Sequence, residues 1–276
     1  MLEKFKAAYP EFIKQVSLDN ITWYDGEVMP TEYEKLYNSH SNSSNNISSS
    51  SNGNNQAEMI ENPVLAAQVV NVCYQPGEPF YSQFHNDPGR IRYMPFFKKM
   101  YGSTKDEVEN NLVTVYWLPK FYGEEFPLLV NKNNAVHKKL ECIITQLEIL
   151  ITQSPGKYER FLCLEDDNIK PPASTFNWRV IANTNRISPH GFGIAFDLET
   201  SAASYWQWDL EKQKIKISES QELKYQNHIP SEIVTIFENH GFIWGGKWYH
   251  YDTQHFEYRP ELLLPSCADC CGNYKY

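Results

Sequence analysis

Ile187-Ser188-Pro189-His190-Gly191-Phe192-Gly193-Ile194-Ala195-Phe196-Asp197-Leu198 sets an imidazole and a carboxylate seven residues apart across a glycine-rich turn. The run after the turn has strand period. Ile194, Phe196 and Leu198 point one way, and Gly193, Ala195 and Asp197 the other. Small neighbours on Asp197's own face leave room for something to approach its carboxylate. A second stretch, Trp248-Tyr249-His250-Tyr251-Asp252-Thr253-Gln254-His255-Phe256-Glu257, adds further histidines and carboxylates. Two histidines and an aspartate can bind a metal, and Asp252, three residues before His255, is a spare acid. Catalytic zinc sites have three protein ligands of these types and one open position. They use a nearby carboxylate to move the proton of an acidified water.

Outside these two stretches the chain reads as an α+β protein. Leu112 to Leu118 and Phe126 to Val130 have strand character, with Val113, Val115 and Trp117 on one face, and Asn131 to Asn134 forms the turn that follows. From Ala135 the period becomes helical: Val136, Leu140, Ile143, Ile144, Leu147 and Ile151 make one stripe, stopped by Ser154-Pro155-Gly156. Phe176 to Ile181 and Gly241 to Trp244 read as further strands, and Pro230-Ser231 opens a helix that ends near Gly241. Segregated helices and antiparallel strands predict a small antiparallel sheet with flanking helices that carries a single zinc site.

The domain divisions follow composition. Residues 1–38 form an amphipathic helical segment through Leu2, Phe5, Phe12, Ile13 and Val16, interrupted early by Pro10. Residues 39–57, almost wholly Ser and Asn, form a disordered loop or linker, because such a tract buries too little apolar surface to offset its ordering entropy. Residues 58–155 form the first part of the globular domain and 156–265 the zinc-bearing core. Residues 266–276 form a tail with three of the six cysteines, Cys267, Cys270 and Cys271.

Charge and hydropathy exclude some roles. A net charge of −9 argues against nucleic acid and anionic membranes as partners. No apolar run approaches the ~20 residues of a membrane span. No long apolar segment of a signal peptide opens the chain, which leaves a removed leader and a cytoplasmic protein as alternatives.

The pattern Ser188-x-His190-x-x-Gly193-x-Ala195-x-Asp197, then Trp244-Gly245-Gly246-x-Trp248, then Asp252-x-x-His255-Phe256-Glu257, resembles one family of zinc peptidases. That family includes bacterial D-alanyl-D-alanine carboxypeptidases and dipeptidases, and phage L-alanyl-D-glutamate endopeptidases. The resemblance implies that His190, Asp197 and His255 bind one Zn2+ and that Asp252 is the general base. Aspartate at the base position, where several relatives carry glutamate, is similar to the endopeptidase-like branch. It further implies that Ser188 hydrogen-bonds near the first ligand.

A peptidase of this kind also needs a cation for the scissile carbonyl or a substrate carboxylate. Arg179 and Arg186 are the candidates, and Arg179 is favoured because it precedes the first motif on a predicted strand. Trp248 is an apolar wall or a core residue, and Glu257 either orients a ligand histidine or faces solvent. The expected activity is hydrolysis of peptidoglycan peptides, as a D-alanyl-D-alanine carboxypeptidase ahead of an L-alanyl-D-glutamate endopeptidase. The rival from another class is a non-catalytic zinc-containing wall-binding module. Substrate logic places the protein in the cell envelope.

Overall fold

The chain is described by a computed structural model over residues 1–36, 59–70, 72–77, 86–123, 125–162, 173–182, 184–198, 200–216 and 223–264. The Ser/Asn tract at 39–57 and the cysteine-bearing tail at 266–276 lie outside the described residues, as do His40 and His85.

The N-terminal segment departs from the amphipathic helix its apolar spacing suggests. Lys4–Ala8 (α1) is helical, as are residues 33–36; between them Ile13–Val16 (β1), Asn20–Trp23 (β2) and Val28–Pro30 (β3) form an antiparallel meander. The helix ends ahead of Pro10, and the β-branched Ile13, Val16, Ile21 and Thr22 favour extended backbone. Both halves bury their apolar side chains, with Phe5, Tyr9, Ile13 and Ile21 all fully enclosed.

In the middle of the chain the periodic segments fold as their patterns require. Met94–Tyr101 (α2) and Lys105–Glu109 (α3) precede the strands, and the Thr104 side chain caps α3 by accepting from the Glu107 N–H. Leu112–Tyr116 (β4) pairs antiparallel with Pro127–Asn131 (β5). Val136–Gln153 (α4) buries the predicted stripe of Val136, Leu140, Ile143, Ile144, Leu147 and Ile151.

The last third holds a four-stranded antiparallel sheet flanked by helices. Its strands are Ala173–Ser174 (β6), Ala195–Leu198 (β7), Phe242–Trp244 (β8) and His255–Tyr258 (β9), in the order β6-β7-β9-β8. Trp206–Lys212 (α5) and Ser231–Glu238 (α6) lie between β7 and β8, and Pro260–Leu263 (α7) follows β9. The strand expected at Phe176 to Ile181 is absent, and the paired residues come earlier, at Ala173–Ser174. The backbone beyond them serves the histidine turn instead: Asn177 N–H donates to the His190 carbonyl, and Ser188 N–H to the Arg179 carbonyl.

Phe196 and Phe256 point together into the core, where Phe237 of α6 stacks on Phe256 at 4.0 Å between centroids. Burying a phenylalanine contributes about 1.5–3 kcal/mol, so this face of the sheet is well anchored. One apolar cluster runs from Leu2 to Leu262 and joins the N-terminal segment to the sheet. A smaller cluster of Trp206, Leu210, Leu223, Tyr249 and Tyr251 packs under α5. The architecture is α+β, and among the described residues no helix is long and apolar enough to cross a membrane.

Candidate metal centre

Pairing of β7 with β9 decides where the ionisable groups meet. The register sets Ala195 opposite Glu257, Phe196 opposite Phe256, and Asp197 opposite His255. Alternation then places Asp197, His255 and Glu257 on the face away from the phenylalanine core. His190 comes from the 3-10 turn Pro189–Phe192 just before β7. Gly193 closes that turn at φ +67°, and a Cβ there would lie 2.6 Å from the Leu112 side chain. Its carbonyl accepts from the Asn131 N–H at 2.9 Å, which fastens the turn to β5.

The three side chains converge. His190 Nε2 lies 3.2 Å from Asp197 Oδ2 and 3.3 Å from His255 Nδ1, and His255 Nδ1 lies 2.9 Å from Asp197 Oδ1. One ligand atom from each falls within 4.8 Å of the others, so the group can hold a metal ion. Two imidazole nitrogens and one carboxylate oxygen suit zinc, and three protein ligands leave a coordination position open. Each histidine is also held from behind. His190 Nδ1 donates to the Thr175 carbonyl at 2.6 Å, which leaves Nε2 for the cluster. His255 Nε2 faces Glu257 Oε2 at 3.5 Å, which leaves Nδ1.

Burial and charge move the acidities apart. Burial alone would raise the Asp197 carboxyl, but the charge and hydrogen bond of His190, then those of His255, hold it well below the ordinary range. Burial pulls His255 down, and its bonds to Asp197 and Glu257 outweigh this and push it up to about 10. Asp252 behaves oppositely: burial, then the neighbouring Asp197 charge, push it up to about 7. Its Oδ1 is enclosed and has no hydrogen-bond partner. Its backbone is fixed by an N–H donated to the Gly245 carbonyl at 3.1 Å and by a bridge to Tyr205. Gly245 has to be glycine here, since a Cβ would come 2.6 Å from the Asp252 carbonyl oxygen.

The other sequence candidates separate. Arg179 is exposed, and its charge acts on Asp252. Arg186 is engaged elsewhere, donating from Nη1 to the Ile60 carbonyl at 2.7 Å. Trp248 is buried with its ring 5.4 Å from that of His255, and its indole N–H has no hydrogen-bond partner. Ser188 is buried at the start of the turn, where its carbonyl accepts from the Gly191 N–H. His250 stands apart from the ligand group: its Nδ1 and its backbone N–H both meet Asp87, at 2.7 and 2.8 Å.

Two guanidiniums escape the sequence reading. Arg92 binds Glu257 through Nε at 2.8 Å and Nη2 at 2.5 Å, and Arg259 Nη1 reaches the same carboxylate at 3.3 Å. Burial would raise Glu257, but the Arg92 charge and hydrogen bond outweigh it and keep the group ionised. The alternation Glu257-x-Arg259-x-Glu261 is a sequence signal of clustered charge, although only Glu257 lies on β9 and Glu261 falls in α7. Arg92 lies 165 positions away and carries no such signal.

Residues 182–258 match the family model for D-alanyl-D-alanine carboxypeptidases. His190, Asp197, Asp252 and His255 all lie within the matched segment. No curated protein and no solved structure matches the chain.

Proposed function

We propose that this chain is a zinc peptidase that removes the terminal alanine from peptidoglycan stem peptides, a D-alanyl-D-alanine carboxypeptidase. The observation that carries this reading is the convergence of His190 Nε2, Asp197 and His255 Nδ1 beside Asp252, a carboxylate with an unbonded oxygen. His190, Asp197 and His255 would hold the ion. Bound there, zinc supplies a Lewis acid and an acidified water.

The protein's own groups do the rest. Asp252, pushed up to about 7, accepts a proton from water and returns it to the departing amine. Its fixed backbone keeps that carboxylate in one place through both transfers. Arg179, exposed on the backbone segment that bonds to the His190 turn, grips the substrate's terminal carboxylate. Trp248 walls the site on the His255 side and keeps water from that ligand. A peptidoglycan substrate implies work in the cell envelope.

The test is a mass-spectrometric digest of purified muropeptides with wild type, Asp252→Asn and a chelated sample. Loss of a terminal alanine in the wild-type digest alone is the expected result. A cut between alanine and glutamate would replace this reading with the endopeptidase. Bound zinc with no cleavage would leave a wall-binding module.

A further inference from the structure

Behind His255 a line of ionic groups is sealed from water. Glu257, Arg259, Glu261 and Tyr9 have no exposed surface, and Arg92 keeps 5%. The bonds run in sequence. Tyr9 Oη donates to Glu261 Oε2 at 2.5 Å, and Arg259 Nε donates to Glu261 Oε1 at 2.5 Å. Arg259 Nη1 and the Nε/Nη2 fork of Arg92 then bracket Glu257. Arg259 also donates to the carbonyls of Gly89 and Ile91, at 3.0 and 3.4 Å, and so fixes the segment that presents Arg92. The far end of the line is Glu257 Oε2 opposite His255 Nε2.

Such a line is costly. Charges taken out of water are recovered only by good geometry, and apolar replacements of buried ion pairs are often neutral or stabilising. Stability alone is therefore a weak account of five enclosed polar groups from three separate parts of the chain. Their common product is the placement of one carboxylate. Held between two guanidiniums, Glu257 faces one nitrogen of His255 and turns the other toward Asp197 and His190. Tyr9, Arg92, Arg259 and Glu261 all lie outside the span that matches the peptidase family.

We infer that the N-terminal segment is a working part of the metal centre. Tyr9, acting through Glu261 and Arg259, and Arg92, acting directly, hold Glu257 where it orients His255 for ligation. All five are positioning residues. The inference rests on the zinc reading above, and the following experiment separates the two.

Full-length wild type, Arg92→Gln, Arg92→Lys, Tyr9→Phe and Phe5→Leu would be compared by zinc competition against a chromophoric chelator. The visible spectrum of the cobalt-substituted protein and the urea midpoint would be recorded for each. Phe5 is the control: it is buried in α1 with its ring centroid 5.3 Å from that of Phe96, and although its carbonyl accepts from the Tyr9 N–H, its side chain bonds to no member of the line. Arg92→Gln should weaken zinc about 10- to 100-fold and alter the cobalt spectrum, as loss of a partner behind a metal ligand does. Arg92→Lys keeps the charge without the fork and should fall between Arg92→Gln and wild type. Tyr9→Phe should weaken zinc by a smaller factor, roughly 3- to 10-fold. Phe5→Leu should lower the urea midpoint with zinc affinity and spectrum unchanged. Wild-type zinc affinity in Tyr9→Phe and Arg92→Lys, or losses no larger than those of Phe5→Leu at equal stability, would overturn the inference. A wild type that takes up no zinc would instead remove the zinc reading itself.

Discussion

Asp197 and Asp252 show how one site gives two carboxyls different tasks. Asp197 is held ionised by two imidazoles, whereas Asp252, enclosed and beside a like charge, is pushed up to about 7. Environments that drive paired acids apart in this way separate a permanent anion from a group that exchanges protons. Asp252→Asn should therefore lower kcat by about 10²- to 10⁴-fold, the usual worth of a positioned acid–base group, while zinc affinity is retained. The sign of the pH effect follows from the form required. Only the carboxylate accepts a proton, so kcat/KM rises as pH climbs through the Asp252 pKa. A dication in the adjoining cluster favours the carboxylate, which places this acid limb at or below about pH 7. Asp252→Glu should retain a limb at a shifted pH, and Asp252→Asn should have none. A pH profile of the Asn variant with the wild-type acid limb would assign the limb to another group.

At the scale of elements, the site depends on a strand register and a turn. One residue of slip between β7 and β9 would move Asp197 to the face now held by Phe196. The turn before β7 is the more easily tested part. Gly193→Ala sets a side chain in left-handed backbone and drives its Cβ against Leu112 and the Asn131 backbone. The expected cost is about 1–3 kcal/mol, read as a lower urea midpoint at unchanged slope, with weaker zinc binding as His190 shifts. An unchanged midpoint would mean that the turn relaxes without loss. The elements here were legible wherever a local period was strong, as in β4, β5, β7 and α4. The convergence of His190, Asp197 and His255 was equally legible, because their spacing lies within two short stretches. The N-terminal meander was hidden because Leu2, Phe5, Phe12, Ile13 and Val16 fit a helical stripe as well as they fit α1 and β1 together. β6 was displaced because its position is set by pairing with β7, which no local pattern encodes. Thr175 and Arg92 escaped for the same reason: one acts through a backbone carbonyl and the other through a partner distant in sequence.

At the scale of the whole molecule, the apolar core is built without the side chains of His190, Asp197 and His255, and this sets how a metal should act on it. The apolar cluster from Leu2 to Leu262 is large, so the metal-free chain should fold, unlike small domains that require their ion. Zinc should then add stability by mass action, because its ligands come from a turn and two strands that separate on unfolding. At free zinc about 1,000 times the dissociation constant the gain is about 4 kcal/mol, and it grows with the logarithm of concentration. The pH dependence of that gain has a definite sign. In the metal-free protein His255 is pushed up to about 10 by Asp197 and Glu257, so it carries a proton that must leave before Nδ1 can bind. Affinity therefore rises with pH throughout the range below about 10, and the stabilisation should be larger near about pH 8 than near about pH 6.5. Thermal melts with zinc and with a chelator, at both pH values, measure this directly. Asp197→Asn removes the anionic ligand and should lose most of the zinc-dependent shift while the chelated protein still melts cooperatively. A zinc shift that is the same at both pH values would show that no proton is displaced, and the binding atom would then have to be sought away from His255 Nδ1.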